Sequence, residues 1–145
     1  MASDAYEKFL PEGIPGWQQP FWDSLREHDV RVQRCSVCGT YRYHPKEKCA
    51  RCSSRDAAWV PISGEGEIYT YTVVRRAPTA AYAPDVPYTI VHATMTEGFR
   101  MIAPLRGTAP ELVRIGLPVL LGYEDVTPEW TLLSFTLRHP PPASG

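Results

Sequence analysis

The chain has 145 residues, 43% of them apolar and 21% charged, with a formal net charge of −1. That is the size and balance of one small globular domain, or of a module attached to another, and its longest apolar runs, such as Leu117 to Leu121, are far too short to cross a bilayer. From Pro61 onward six arginines stand against eight carboxylates, so this half lacks the clustered cations with which a nucleic-acid binder displaces counterions from phosphates.

The first segment, Met1 to Gly16, holds Pro11, Gly13, Pro15 and Gly16 and is expected to be extended or flexible. Its opening is acidic and aromatic, without the basic start and apolar centre of a secretory signal, so a cytoplasmic location is expected. Pro20 to Asp29 reads as a short helix. Pro20 suits a first helical turn, and Phe21, Trp22 and Leu25 share one face, away from Asp23, Arg26 and Glu27. That face either packs on the chain's own body or docks its aromatics on another protein, and the sequence leaves both open.

Val30 to Arg34 and Tyr41 to His44 are short strand candidates around a first cysteine pair, and Trp59 to Ile62 follows the second pair. From Gly66 the chain becomes a series of strands separated by turn signals. They are predicted over Glu67 to Ala77, Tyr88 to Thr96, Phe99 to Leu105, Pro118 to Tyr123 and Thr131 to Arg138, with a hairpin at Glu97-Gly98 and a helical turn over Ala109 to Arg114. Five strands with a small helical insertion between the third and fourth fit an OB-type barrel. In the first of them, simple alternation puts Tyr69, Tyr71 and Val73 on one face and Ile68 and Val74 on the other. The Pro-rich end, Pro140 to Gly145, is expected to be a disordered tail. The resulting division is leader and helix over 1–29, a metal ribbon over 30–60, a barrel over 61–139 and a tail over 140–145. The predicted class is mainly β.

All four cysteines fall in two Cys-x-x-Cys pairs, Cys35-Ser-Val-Cys38 and Cys49-Ala-Arg-Cys52. A two-residue gap turns both thiolates of a knuckle onto one ion, and two knuckles close a tetrahedral site with no position left for water. The site is therefore read as structural, with zinc as the expected ion; the same ligand set also accepts iron. Gly39 follows the first knuckle, where a positive φ is needed, and Ser53 holds the matching place after the second. Disulfides do not suit a chain without a secretion signal. His44, between the pairs, is read as a neighbour of the site or a surface residue.

No catalytic motif stands out. There is no Gly-x-Ser-x-Gly turn, no phosphate-binding Gly-rich loop and no His-Glu-x-x-His, and no cysteine remains free to act as a nucleophile. Arg75-Arg76, beside Pro78, is the one compact basic spot of the barrel. It reads either as surface arginines at a strand end or as an anchor for a phosphorylated ligand or a partner's carboxylates.

Taken together, several pieces resemble the DUF35 family: Phe21-Trp22; Gln33-Arg34-Cys35-x-x-Cys38-Gly39; Cys49-x-x-Cys52; Trp59; Gly64-Glu65-Gly66; the run Tyr69 to Val74; Pro87-Tyr88; and Ile115 to Val119. The resemblance covers about Pro20 to Arg138, and Ser53 in place of a glycine is its small departure. It implies an N-terminal helix, a rubredoxin-like zinc ribbon and an OB-fold. It also implies a non-catalytic companion of a thiolase-like enzyme, a thiolase or a retro-aldolase such as those of steroid side-chain degradation. Such a companion sits in a hetero-oligomer and helps to shape the partner's acyl-CoA site. Phe21, Trp22, Tyr69, Tyr71, Arg75 and Arg76 are the candidate contacts with the partner or with CoA. Whether the chain is a free-standing subunit or one domain of a longer protein stays open. The alternative reading is an OB module that stacks single-stranded nucleic acid on Tyr69, Tyr71, Tyr82 and Tyr88; an enzyme acting alone, a hydratase or thioesterase, is the third.

Overall fold

The computed structural model describes residues 6–139; the expected tail over 140–145 and the first five residues of the leader lie outside them. A single α-helix, α1 (Gln19–Arg26), leads into a three-stranded antiparallel sheet of β1 (Arg31–Cys35), β2 (Tyr41–Arg42) and β3 (Ala57–Pro61), in the order β2-β1-β3. Five further strands, β4 (Glu65–Val74), β5 (Tyr88–Met95), β6 (Arg100–Leu105), β7 (Pro118–Asp125) and β8 (Thr131–Leu137), close into a barrel in the order β4-β5-β6-β8-β7. All pairings are antiparallel except β6 with β8. A 3-10 turn, Pro110–Leu112, sits between the third and fourth barrel strands, where a helical turn is predicted. This is the mainly β architecture of helix, ribbon and OB barrel. Among the described residues no helix is long and apolar enough to cross a membrane.

Helix α1 is shorter at its C-terminus than the sequence suggests. Glu27 caps it and His28 takes φ +55°, a left-handed conformation that ends the helix. The turned-out His28 ring stacks on Tyr123 (4.7 Å, 8° between planes), and its Nε2 lies 2.9 Å from Asp125 Oδ1. That bond, together with the one from the Thr131 hydroxyl, holds the Asp125 carboxyl below its ordinary pKa. The buried face of α1 is Phe21, Ser24 and Leu25, at i, i+3 and i+4. Ser24 Oγ donates to Phe21 O and accepts from Arg31 N, tying the helix to β1. Phe21 and Leu25, with Val30 and Val32 of the ribbon, join the barrel residues Ile68, Val91, Met101, Val119 and Phe135 in one continuous core. Helix, ribbon and barrel thus share their apolar interior.

Strand β4 corrects the simple alternation. A β-bulge lies between Ile68 and Thr70, leaving Tyr69 without an opposite number while Ile68 faces Ala93 and Tyr71 faces Val91. An extra residue reverses the side-chain parity beyond it. Ile68, Tyr71 and Val73 therefore lie opposite the buried residues Ala93, Val91 and Thr89 of β5, while Tyr69 points outward. The leader, expected to be extended or flexible, makes contacts with the barrel side of the chain. Lys8 pairs with Asp85, the Phe9 amide donates to Tyr82 Oη at 3.1 Å, and the two rings lie 5.8 Å apart, so this segment is seated on the 3-10 turn Ala80–Asp85.

At Gly66, paired with Met95 on one side and Val119 on the other, backbones come too close for a side chain. An added Cβ would lie 2.8 Å from Thr94 O and 3.0 Å from Met95 Sδ. The closer contact is with main chain at the end of β5, which cannot swing aside as the Met95 side chain can. We expect Gly66→Ala to destabilise the fold by about 1–3 kcal/mol, read as a lower urea midpoint; a midpoint equal to that of the parent chain would show that β4 and β5 can spread at that pair.

Candidate metal centre and contact face

The two knuckles are near copies of each other, because each is built from the same local hydrogen bonds. Cys35 N donates to Thr40 O (2.8 Å) and Gly39 N to Cys35 O (3.0 Å) in the first; Cys49 N donates to Ser54 O and Ser53 N to Cys49 O (both 2.9 Å) in the second. Closing such a turn needs a left-handed residue at its end. Gly39 supplies it at φ +76° and Ser53 at +65°, so the serine adopts what glycine adopts in the twin. The four Sγ atoms lie within 4.8 Å of one another, with Cys35–Cys52 and Cys38–Cys49 each at 3.5 Å, and no disulfide joins any of them. Sulfurs about 2.3 Å from a shared tetrahedral ion stand roughly 3.8 Å apart. The set is clustered closely enough to hold one metal ion, and no other group of three or more candidate ligands occurs among the described residues.

The electrostatics of the set call for a cation. Amide hydrogen bonding from Cys38 lowers the Cys35 thiol to about 6, and Cys52's amide does the same in direction for Cys49. Cys52 goes the other way. Although the amide of Ser54 favours its thiolate, burial and the three neighbouring sulfurs push it up to about 12. Four thiolates cannot crowd together uncompensated, and a dication removes that repulsion. His44 is not part of the set; its ring sits edge-on to Phe21 (5.3 Å) and beside Trp22 (5.8 Å).

The six candidate contact residues do not form one exposed patch. Phe21 is only 1% exposed and belongs to the core: of the two roles the sequence left open for its helix face, this side chain takes the inward one and offers no exposed ring as a candidate contact. Trp22 is half-buried, edge-on to Trp130 at 5.4 Å, and among the described residues its indole N–H is unpartnered. Tyr71 packs partly on the core, the consequence of the bulge. Tyr69 is 48% exposed, with the Arg100 guanidinium 3.6 Å above its ring. Arg75 and Arg76 are exposed just beyond the end of β4, and among the described residues neither has an ion-pair partner.

Ile102, missing from that set, connects its parts. At 56% exposure it stands on the outer face of β6 and borders both the hollow of about 180 Å³ beside Trp22 and the one beside Tyr71. The signal was present in the alternation Met101-Ile102-Ala103, whose central residue must face away from the core. Farther along the same side of the barrel a hollow of about 350 Å³, lined by Phe9, Tyr82, Tyr88, Ile90, Pro104 and Leu132, lies under the leader. Tyr43, between ribbon and barrel, has its phenol pushed up to about 12 by burial and is un-ionised at neutral pH.

Comparison with known proteins places this geometry. Residues 22–57 match the family described as "ChsH2, rubredoxin-like zinc ribbon domain", and residues 59–124 match "ChsH2, C-terminal OB-fold domain". The chain is 34% identical over 100 residues to a "DUF35 domain-containing scaffold protein" of Methanocaldococcus jannaschii, covering 68% of this chain and 70% of that protein. It is 35% identical over 115 residues to the "3-oxo-4,17-pregnadiene-20-carboxyl-CoA hydratase alpha subunit" of Mycobacterium tuberculosis; the match covers 79% of this chain but only 36% of that subunit. Among solved structures, the "Ltp2-ChsH2(DUF35) aldolase" superposes with a TM-score of 0.78 at 31% identity, over 88% of this chain and 98% of the matched one.

Proposed function

The chain belongs to the DUF35 family, with a zinc ribbon followed by an OB-fold, and on that premise we propose that it is a non-catalytic accessory subunit or domain of a thiolase-like acyl-CoA enzyme. The observation that carries this reading is the near-complete superposition on a DUF35 chain from a structure whose name is that of an aldolase. Its partner is then a thiolase-fold protein, a retro-aldolase in preference to a thiolase, and the two form a cytoplasmic hetero-oligomer around an acyl-CoA site. The acyl-CoA in the name of the M. tuberculosis relative makes a steroid-type acyl group the first to try. The ion in the cysteine set is zinc, and its role is structural, because four sulfur ligands leave no open coordination position.

The contact surface follows from exposure. Tyr69, Arg75 and Arg76 are open to a partner or to CoA phosphates, Trp22 and Tyr71 contribute edges, and Phe21 acts by holding α1 in place. All four cysteines lie in the metal set, which leaves no thiol nucleophile, and in this reading the chemistry belongs to the partner. The test is a pull-down of the tagged chain from its native host in moderate salt, with mass spectrometry of what stays bound and an acyl-CoA turnover assay of the purified chain. We expect a thiolase-like protein in near-equal amount and no turnover by the chain alone. Recovery of nucleic acid without a protein partner would favour the single-strand-binding alternative, and turnover by the isolated chain would sink the accessory role.

A further inference from the structure

Arg42 is 3% exposed, yet among the described residues no carboxylate approaches it. A guanidinium never gives up its proton in a protein, so this is a permanent buried charge, and such a charge is costly unless something compensates it. Its hydrogen-bond partners are all main-chain carbonyls, and all flank the second knuckle. Nη1 donates toward Lys46 O and Glu47 O on the approach to Cys49, at 3.5 and 3.4 Å; Nη2 donates to Ser54 O and Asp56 O beyond Cys52, at 2.7 and 3.3 Å. Two of these carbonyls are shared. Ser54 O also accepts the Cys49 amide, and Asp56 O also accepts the amide of Ser36, inside the first knuckle. Gln33, directly opposite Arg42 across β1 and β2, is buried too, and its Oε1 accepts the Lys46 amide at 2.8 Å. Two buried polar side chains from one cross-strand pair therefore grip the segment that carries the second knuckle.

Carbonyl dipoles alone do not neutralise a full charge. The segment it grips through the carbonyls of Ser54 and Asp56 belongs to an anionic site. Four thiolates around a dication carry a net charge of minus two, in a pocket where Cys35 and Cys49 are buried. We infer that Arg42 is the positioning residue of the metal centre: its guanidinium fork holds both knuckles at tetrahedral spacing, and its buried charge offsets the excess negative charge of the tetrathiolate. Resting on the metal reading above, this adds a residue outside the ligand set on which metal retention depends.

The experiment compares the full chain with Arg42→Gln, which removes the charge, and Arg42→Lys, which keeps the charge but loses the fork. Zinc release to a chromogenic chelator should speed up by about tenfold or more in both variants, the range usual for outer-shell partners of metal ligands. Cobalt substitution separates the two roles. A positive charge beside the thiolates lowers the energy of their donor electrons, so losing it should move the sulfur-to-cobalt charge-transfer band to longer wavelength in Arg42→Gln but not in Arg42→Lys. The tetrahedral d–d bands should stay in place in both. Unchanged release rates would overturn the assignment, and so would faster release with the same charge-transfer band in Arg42→Gln and wild type, which would leave no role for the charge. A wild-type chain that takes up neither zinc nor cobalt would instead sink the metal reading.

Discussion

Replacing Cys49 by serine, or stripping the metal with a strong chelator, is expected to unfold the β1–β3 ribbon while leaving most of the β4–β8 barrel in place. The ribbon's own apolar interior is small. Its sheet includes a strand of two residues, Tyr41–Arg42, and its own buried apolar side chains beyond the cysteines are Val30 and Val32. Metal binding in comparable small ribbons contributes about 10–16 kcal/mol at neutral pH, as much as the whole stability of an ordinary domain, about 5–15 kcal/mol. Without the ion, Cys52 stays protonated and the four sulfurs lose their common centre. The barrel closes on itself through β4 and β7 and keeps its own interior of Ile68, Val91, Met101, Val119 and Phe135. It should nonetheless be weaker, because Val32 and Phe21 cover part of that interior. Metal analysis should give one zinc per chain, and hydrogen exchange should show β1–β3 amides losing protection on chelation while β5 and β8 amides keep theirs. Acid should act in the same direction, since protons compete with metal for the thiolates and the ion is lost as pH falls. A metal-free chain with fully protected β1–β3 amides would show that the ribbon folds on packing alone.

The features that could be read from the sequence are those set by neighbouring residues. A Cys-x-x-Cys knuckle is closed by hydrogen bonds spanning four and five residues, so two copies in sequence become one site in space. Even the positive φ at Ser53 follows from its place relative to Cys49. The hairpin at Gly98 (φ +98°) is equally local. What could not be read depends on distant partners. The bulge at Tyr69 is a property of the register between β4 and β5, and nothing within residues 65–74 marks which residue is the extra one. It moves Tyr71 from the face of Tyr69 to the core side, and with it a candidate contact. The leader is another such case: its contacts reach Tyr82 and Asp85, more than seventy residues away, and no local pattern encodes them. Helix α1 shows the limit most clearly. Phe21, Trp22 and Leu25 define an apolar stripe, but an apolar stripe is compatible with the chain's own core and with a partner's surface alike. Only packing decides, and it sends Phe21 and Leu25 inward and leaves Trp22 at the margin.

That ambiguity at α1 has a direct experimental answer in Phe21→Ala, expected to cost about 3–5 kcal/mol, as deletion of a fully buried phenylalanine does. The ring meets Trp22, Tyr43 and His44 edge-on, with centroids at 5.0, 6.0 and 5.3 Å, and lines one hollow with Ala103 and Leu133 of the barrel. It is the point where helix, ribbon and barrel meet, so its loss removes contacts from all three. The vacated space would adjoin the hollow of about 180 Å³ that Phe21, Trp22 and Tyr43 already line. Trp22 adds a readout. Among the described residues its indole N–H has no hydrogen-bond partner, and its fluorescence should move toward that of a solvated tryptophan once Phe21 is gone. Urea unfolding should show a lower midpoint with an unchanged slope, the mark of lost stability without a change in the surface exposed. Phe21→Leu, which refills most of the volume, should recover most of the loss. If Phe21 worked mainly as a contact with another protein, the isolated chain would hardly notice its removal, since exposed positions usually change stability by less than about 0.5 kcal/mol, and the deficit would appear only in partner binding. A large loss in the isolated chain and a small one therefore point to opposite roles for the same side chain. At 1% exposure the structure commits to the large one, and any fall in partner affinity then reflects a displaced helix with Trp22 out of place.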